Sequence, residues 1–94
     1  MRIVWTDLAI RDLASARDYI AQDSPAAARG QIQHILTAVE VLPRFQQSGR
    51  PGRRPGTREL VVGRTPYLVP YRLRGEEIQV LRVLHGRRAW PEAF

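Results

Sequence analysis

The residues best equipped for chemistry crowd into the last third of this 94-residue chain. His85 stands between Arg82 and the Arg87-Arg88 pair, with Arg58, Arg64 and Arg72 upstream and Tyr67, Tyr71 and Trp90 interleaved. Guanidinium forks grip phosphates bidentately, and aromatic faces stack on exposed bases. Cutting RNA by internal attack needs a base for the 2′-hydroxyl, an acid for the leaving oxygen and cations around the phosphate. His85, a tyrosine or a glutamate would have to move those protons, because the chain has no lysine. Each residue also has a plainer reading. Tyr67 and Tyr71 suit the core face of a strand, Arg58 and Arg82 suit partners such as Glu59 or backbone carbonyls, and His85 suits a hydrogen-bonded strand end.

Other chemistries find less support. Without cysteine there are no disulfides, thiolate metal sites or cysteine nucleophiles. His34 and His85 lie too far apart in sequence to suggest ligand spacing, so neither a metal nor another cofactor is expected. Ser15 falls mid-helix and Ser24 reads as a helix cap, neither matched to a histidine and an acid. Gly49, Gly52 and Gly56 lack the preceding strand and following helix of a phosphate cradle.

All 15 basic residues are arginine, against nine acids, for a net charge of +6. Residues 1–47 are neutral overall, with five arginines and five acids, whereas residues 48–94 hold ten arginines and four acids. A charge so segregated points to a polyanion or an acidic partner. The opening Met1–Asp7 meets charge before any apolar run of signal-peptide length forms, and no stretch reaches membrane-span length. A cytoplasmic protein is expected.

The elements that must position these groups read as strand, helix, helix, strand, strand, strand. Arg2–Trp5 is β-prone, and Thr6 or Asp7 can cap a helix running to about Gln22, with Ile10, Leu13, Ala16 or Arg17, and Ile20 at helical spacing. Asp23-Ser24-Pro25 restarts the chain into a second helix. Its stripe, Ala28, Ile32, Ile35, Val39 and Leu42, advances in steps of four and three. Residues 43–57 hold three prolines, three glycines and four arginines and form one long irregular loop. Strands follow at Glu59–Val62, Tyr67–Leu73 and Ile78–Leu84, with Gly75 in the last hairpin and Pro70 demanding an edge or a bulge. The expected fold is α+β, a single domain over 1–94: βααβββ, a curved, mainly antiparallel sheet with the helical hairpin packed on one face.

Three segments, Arg58-Glu59-Leu60-Val61-Val62, Pro66-Tyr67-Leu68-Val69-Pro70-Tyr71-Arg72-Leu73 and Ile78 through Trp90-Pro91, resemble the RelE/ParE superfamily of type II toxins. The order of elements agrees over essentially the whole chain. RelE-like members cleave mRNA at the ribosome; ParE-like members poison DNA gyrase and have no active site of that kind. For a RelE-like activity the resemblance implies His85, Arg87 and Arg82 as catalytic residues. This sequence departs from that pattern: Leu68 replaces the usual arginine after the strand-opening tyrosine, and Glu59 and Val61 fall where lysines are used. The Leu-His-Gly-Arg-Arg-Ala-Trp-Pro ending is similar to ParE. The expectation is therefore a growth-arresting, ParE-like toxin of a plasmid-stabilisation type of module. It would act on gyrase through Arg58, Arg64, Arg72, Arg87, Arg88 and Trp90, and be neutralised by a cognate acidic antitoxin. The alternative is a RelE-like endonuclease with ribosome and mRNA as partners.

Overall fold

A computed structural model describes residues 1–88, 90–92 and 94. The chain runs β1 (Arg2–Trp5), α1 (Asp7–Ala21), α2 (Pro25–Glu40), β2 (Arg50–Pro51), β3 (Arg58–Val61), β4 (Tyr67–Arg74), β5 (Glu77–Val80) and β6 (Leu84–His85). Thr6 and Ser24 cap the two helices, each accepting a hydrogen bond from a backbone N–H three residues on, and Pro25 sits in the first turn of α2. The strands form one mixed sheet in the order β1-β5-β4-β3-β2. β1 runs parallel to β5, and the remaining pairs are antiparallel. The α+β class and the helical hairpin on a mainly antiparallel sheet agree with expectation; β2 and β6 are additional short strands.

Both helices lie on the sheet face that carries Tyr67, Val69, Tyr71, Ile78 and Val80, all buried. The α2 stripe is as expected, with Ala28, Ile35, Val39 and Leu42 buried and Ile32 half-buried. In α1 the inward face is Ala9, Leu13, Ala16 and Ile20, while Ile10 is 52% exposed. Only the first position differs from the expected stripe, where Ala9, fully buried, takes the inward place instead of Ile10. Asp12, one residue before Leu13, lies against the sheet at Arg82 and Val83.

β4 is not an edge strand. β3 flanks it on one side, and β5 and β6 follow one another along the other. Pro70 is accommodated by a break between those two partners. Its carbonyl accepts the N–H of Leu81 at 2.9 Å, and a proline offers no N–H in return on that side. The partner strand bulges over residues 81–83 and resumes at Leu84. The expected continuous strand 78–84 is therefore two strands, and the break follows from a proline on their neighbour.

The 43–57 segment is tied down rather than loose. The Tyr71 hydroxyl donates to Gln46 O at 2.7 Å and accepts from Gly49 N at 2.9 Å. A Cβ on residue 49 would lie 2.6 Å from the Tyr71 ring, so only glycine permits this approach. Arg58 donates to the carbonyls of Gln47 and Gly49. On the opposite sheet face Glu59, 2% exposed, accepts from Arg53 N at 2.9 Å and pairs with the Arg50 guanidinium at 3.2 Å. Removing the phenol oxygen leaves a buried carbonyl and N–H unpaired, at about 1–3 kcal/mol. Tyr71→Phe is expected to lower unfolding free energy by about 2 kcal/mol in a urea titration, with hydrogen exchange at Gly49 accelerated in the native state.

Candidate functional site

The site grows from the pairing of Tyr67 with His85, which opens β4 against β6. Their rings meet edge to face at 5.5 Å between centroids. Gly86 N donates to Pro66 O at 2.8 Å, locking the chain after β6 onto the β3–β4 hairpin. In that hairpin Arg64 takes a left-handed conformation, φ 65°, which a non-glycine side chain adopts only under local constraint. The constraint is visible: Thr65 N and Oγ1 both donate to Val62 O, and Thr65 Oγ1 accepts from Tyr67 N. Arg64, Thr65, Pro66, His85 and Arg87 thereby line one open groove of about 550 Å³.

His85 Nδ1 accepts the Arg87 backbone N–H at 3.1 Å, so a neutral ring carries its proton on Nε2. Partial burial pushes its pKa down, and the Arg88 and Arg87 charges push it further in the same direction. The groove thus presents a neutral imidazole between two exposed guanidiniums, an arrangement suited to binding an anion. Tyr67, 3% exposed, is held protonated by burial, partly offset by Arg88.

The other sequence candidates lie elsewhere. Arg82 is clasped by Asp12 of α1, Nε to Oδ2 at 2.7 Å and Nη2 to Oδ1 at 3.0 Å, with both side chains under one-fifth exposed. Asp12 Oδ2 also accepts Val83 N at 3.0 Å, inside the strand break. Arg58 serves the carbonyls of the 43–57 segment, and Arg72 donates to Gln79 Oε1 at 2.7 Å. Arg88 lies over the Tyr19 ring at 4.0 Å. Trp90 is stacked by Arg53 at 3.6 Å, and Arg54 donates to Pro91 O, so the tail is pinned on the 50–57 segment. The six residues expected on one target-binding surface therefore fall in separate places. Of the three residues expected to be catalytic in a RelE-like activity, His85 and Arg87 share a groove and Arg82 does not.

Sequence reading missed Asp12. Its signal was an acid beside the inward stripe of α1 together with an arginine inside an apolar strand, two charges that can enter a core only as a pair. Glu59, expected as a partner of Arg58 or Arg82, instead serves Arg50 and Arg53 of the basic segment just before it.

This architecture can be set beside known proteins. The family model "ParE toxin of type II toxin-antitoxin system, parDE" matches residues 3–90. The chain belongs to the ParE toxin family. Among relatives, the Sinorhizobium fredii protein Y4kP is 43% identical over 93 residues, 99% of this chain and 96% of that one. Toxin RelE2 of Caulobacter vibrioides is 36% identical over 87 residues, 93% of this chain and 97% of its own length. Toxin ParE3 of the same organism is also 36% identical, over 76% of this chain and 71% of its own. A solved structure of the chromosomal ParDE toxin–antitoxin system from P. aeruginosa superposes with a TM-score of 0.82 at 36% identity, covering 90% of this chain and 95% of that one. Relatives named RelE and ParE stand at the same identity, so membership establishes a type II toxin with an antitoxin partner. The matched span includes His85, Arg87 and the Asp12–Arg82 pair.

Two outcomes follow from this geometry in the ParE-family toxin. Asp12→Asn leaves the Arg82 guanidinium half-buried without its charge partner and is expected to cost about 3 kcal/mol of folding stability in chemical denaturation. For His85, the folded state favours the neutral ring more than the unfolded chain does, with its usual pKa of about 6.5. On acidification the unfolded state takes up the proton first. Stability contributed by His85 is present above that unfolded value and lost as pH falls toward the folded one. The His85→Gln variant is expected to show a flatter stability–pH slope over that window, and NMR titration of His85 a midpoint below 6.5.

Proposed function

We propose that this chain is a ParE-like growth inhibitor that acts on DNA gyrase by binding, without bond-breaking chemistry of its own. The observation that carries the reading is the Asp12–Arg82 clasp. It commits to the fold one of the three residues that the RelE-like resemblance implies as catalytic. The ParE family match over residues 3–90 and the ParDE structural neighbour support it from outside. The cognate antitoxin is an acidic segment that orders on this toxin, since ten arginines in the second half supply complementary charge. Toxin and antitoxin would meet in the cytoplasm, where gyrase resides, and such a pair stabilises the replicon that encodes it.

A RelE-like reading keeps one specific support: the neutral imidazole of His85, sharing its groove with the exposed guanidiniums of Arg64 and Arg87, could accept a proton beside a bound phosphate. One culture separates the two. On induction, DNA damage signalling and filamentation with intact transcripts are expected, and the purified toxin should inhibit gyrase supercoiling at modest molar excess. Untouched supercoiling together with transcripts cut inside coding regions would overturn the gyrase reading. In that case replacing His85 and Arg87 together by alanine should abolish toxicity while the fold persists.

A further inference from the structure

On the outer face of the sheet two guanidiniums meet without an acid between them. Tyr67, Val69 and Tyr71 are buried on the helix side of β4, so alternation turns Arg72 to the opposite side. There a cavity of about 280 Å³ is bounded by Arg54, Pro55, Thr57, Arg72, Leu81 and Phe94. Four stretches of chain converge on it: the segment after β2, β4, the strand break and the tail. It shares no residue with the groove of Arg64, His85 and Arg87.

Among the described residues neither Arg54 nor Arg72 enters an ion pair, and Glu59, the buried acid of this face, is taken by Arg50 and Arg53. Both guanidiniums are nevertheless held in place. Arg72 Nε donates to Gln79 Oε1 at 2.7 Å, and Arg54 Nη2 donates to Pro91 O at 2.9 Å. Thr57 Oγ1 fixes the Arg54 backbone by donating to its carbonyl at 2.7 Å. Each fork keeps further N–H donors without a partner among the described residues. Two cations fixed beside one cavity attract an anion and lower the ordering cost of binding it. Pro55, Leu81 and the Phe94 ring add apolar surface, with Arg54 lying 5.6 Å from the centre of that ring. A bare inorganic anion leaves this surface unused, whereas an anion carried on a hydrocarbon body covers it.

From this convergence we infer that the cavity binds an organic carboxylate with an apolar body, the carboxylate between Arg54 and Arg72 and the body against Leu81, Pro55 and Phe94. A planar carboxylate matches the guanidinium fork in shape as well as charge. Free aromatic acids carry this group, and so does the C-terminus of a peptide ending in an apolar residue. Residues 90–92 and 94 make no backbone–backbone hydrogen bond among the described residues. A bound acid touching Phe94 and Arg54 therefore adds to the few side-chain contacts that hold the tail on the 50–57 segment. The inference does not depend on whether gyrase or the ribosome is the target.

The test is calorimetric titration of the full chain with phenylacetate and N-acetylphenylalanine, and in parallel with phenylacetamide, acetate and inorganic phosphate. At least one of the two apolar acids is expected to bind saturably and about tenfold tighter, or more, than the three comparison compounds. Whichever apolar acid binds tighter assigns the source, a free aromatic acid or a peptide terminus. Arg72→Gln and Phe94→Ala should each weaken binding about fivefold or more, with Arg29→Ala on α2 unchanged. Arg72 and Phe94 lie outside the buried cluster under the helices, so both variants should keep a cooperative unfolding transition; Arg54→Gln tests the same clamp if Arg72→Gln does not. Acetate or phosphate binding as tightly as the apolar acids would reduce the site to a patch of charge and overturn the inference. So would phenylacetamide binding equally well, no binding of either acid, or binding indifferent to both guanidinium substitutions and to Phe94→Ala.

Discussion

The clasp of Asp12 on Arg82 and Val83 is the contact on which the functional end of this molecule depends. It sits where the sheet is weakest, at the break that Pro70 imposes on the strand beside it. There a backbone N–H and a guanidinium would otherwise be left facing the interior. One carboxylate on α1 satisfies both, through three hydrogen bonds between 2.7 and 3.0 Å. Desolvating such a pair consumes much of its Coulombic gain, so its value lies less in net stability than in specifying one arrangement. With residue 83 fixed, β6 meets β4 in a single register. His85 then falls beside Tyr67 and Gly86 against Pro66.

Much of the positive charge is spent on architecture in the same way. Arg82 serves the strand break, Arg58 the chain leaving α2, Arg50 and Arg53 the buried Glu59, and Arg54 the tail. A net charge of +6 is therefore not a uniformly basic surface. Among the described residues Arg64 and Arg87 carry no side-chain hydrogen bond or ion pair and line one groove, one held by a strained hairpin position and the other by the turn after β6. Guanidinium is suited to both duties, since its planar donors satisfy carbonyls and carboxylates in a core as readily as they engage anions outside. That explains why a lysine-free chain can still build an ordered 43–57 segment.

How far the sequence could be read depended on how local each determinant is. The α2 stripe was legible because Ile32, Ile35, Val39 and Leu42 announce one face. The α1 face was misjudged at one position because Ala9 is a weakly apolar signal beside the more obvious Ile10. The strand break at 81–83 was not legible in its own residues, which are apolar and β-prone; its cause is Pro70, ten or more positions away in sequence and opposite in space. Site residues were legible by type and not by grouping. His85 and Arg87 come together through a local turn, whereas Arg82, Arg72 and Trp90 are drawn off by partners that only the tertiary register supplies.

Arg82 is read here as belonging to the fold and not to the target. The most direct measurement removes the charge of both members while keeping an acceptor for Val83 N, Asp12→Asn with Arg82→Gln, and reads growth arrest alongside cooperative unfolding of the purified chain. Removing a buried ion pair as a unit is close to neutral, unlike removing one member. A folded double variant that arrests growth as strongly as the original is expected. A double variant that folds with native cooperativity, still binds its antitoxin and has lost toxicity would contradict it.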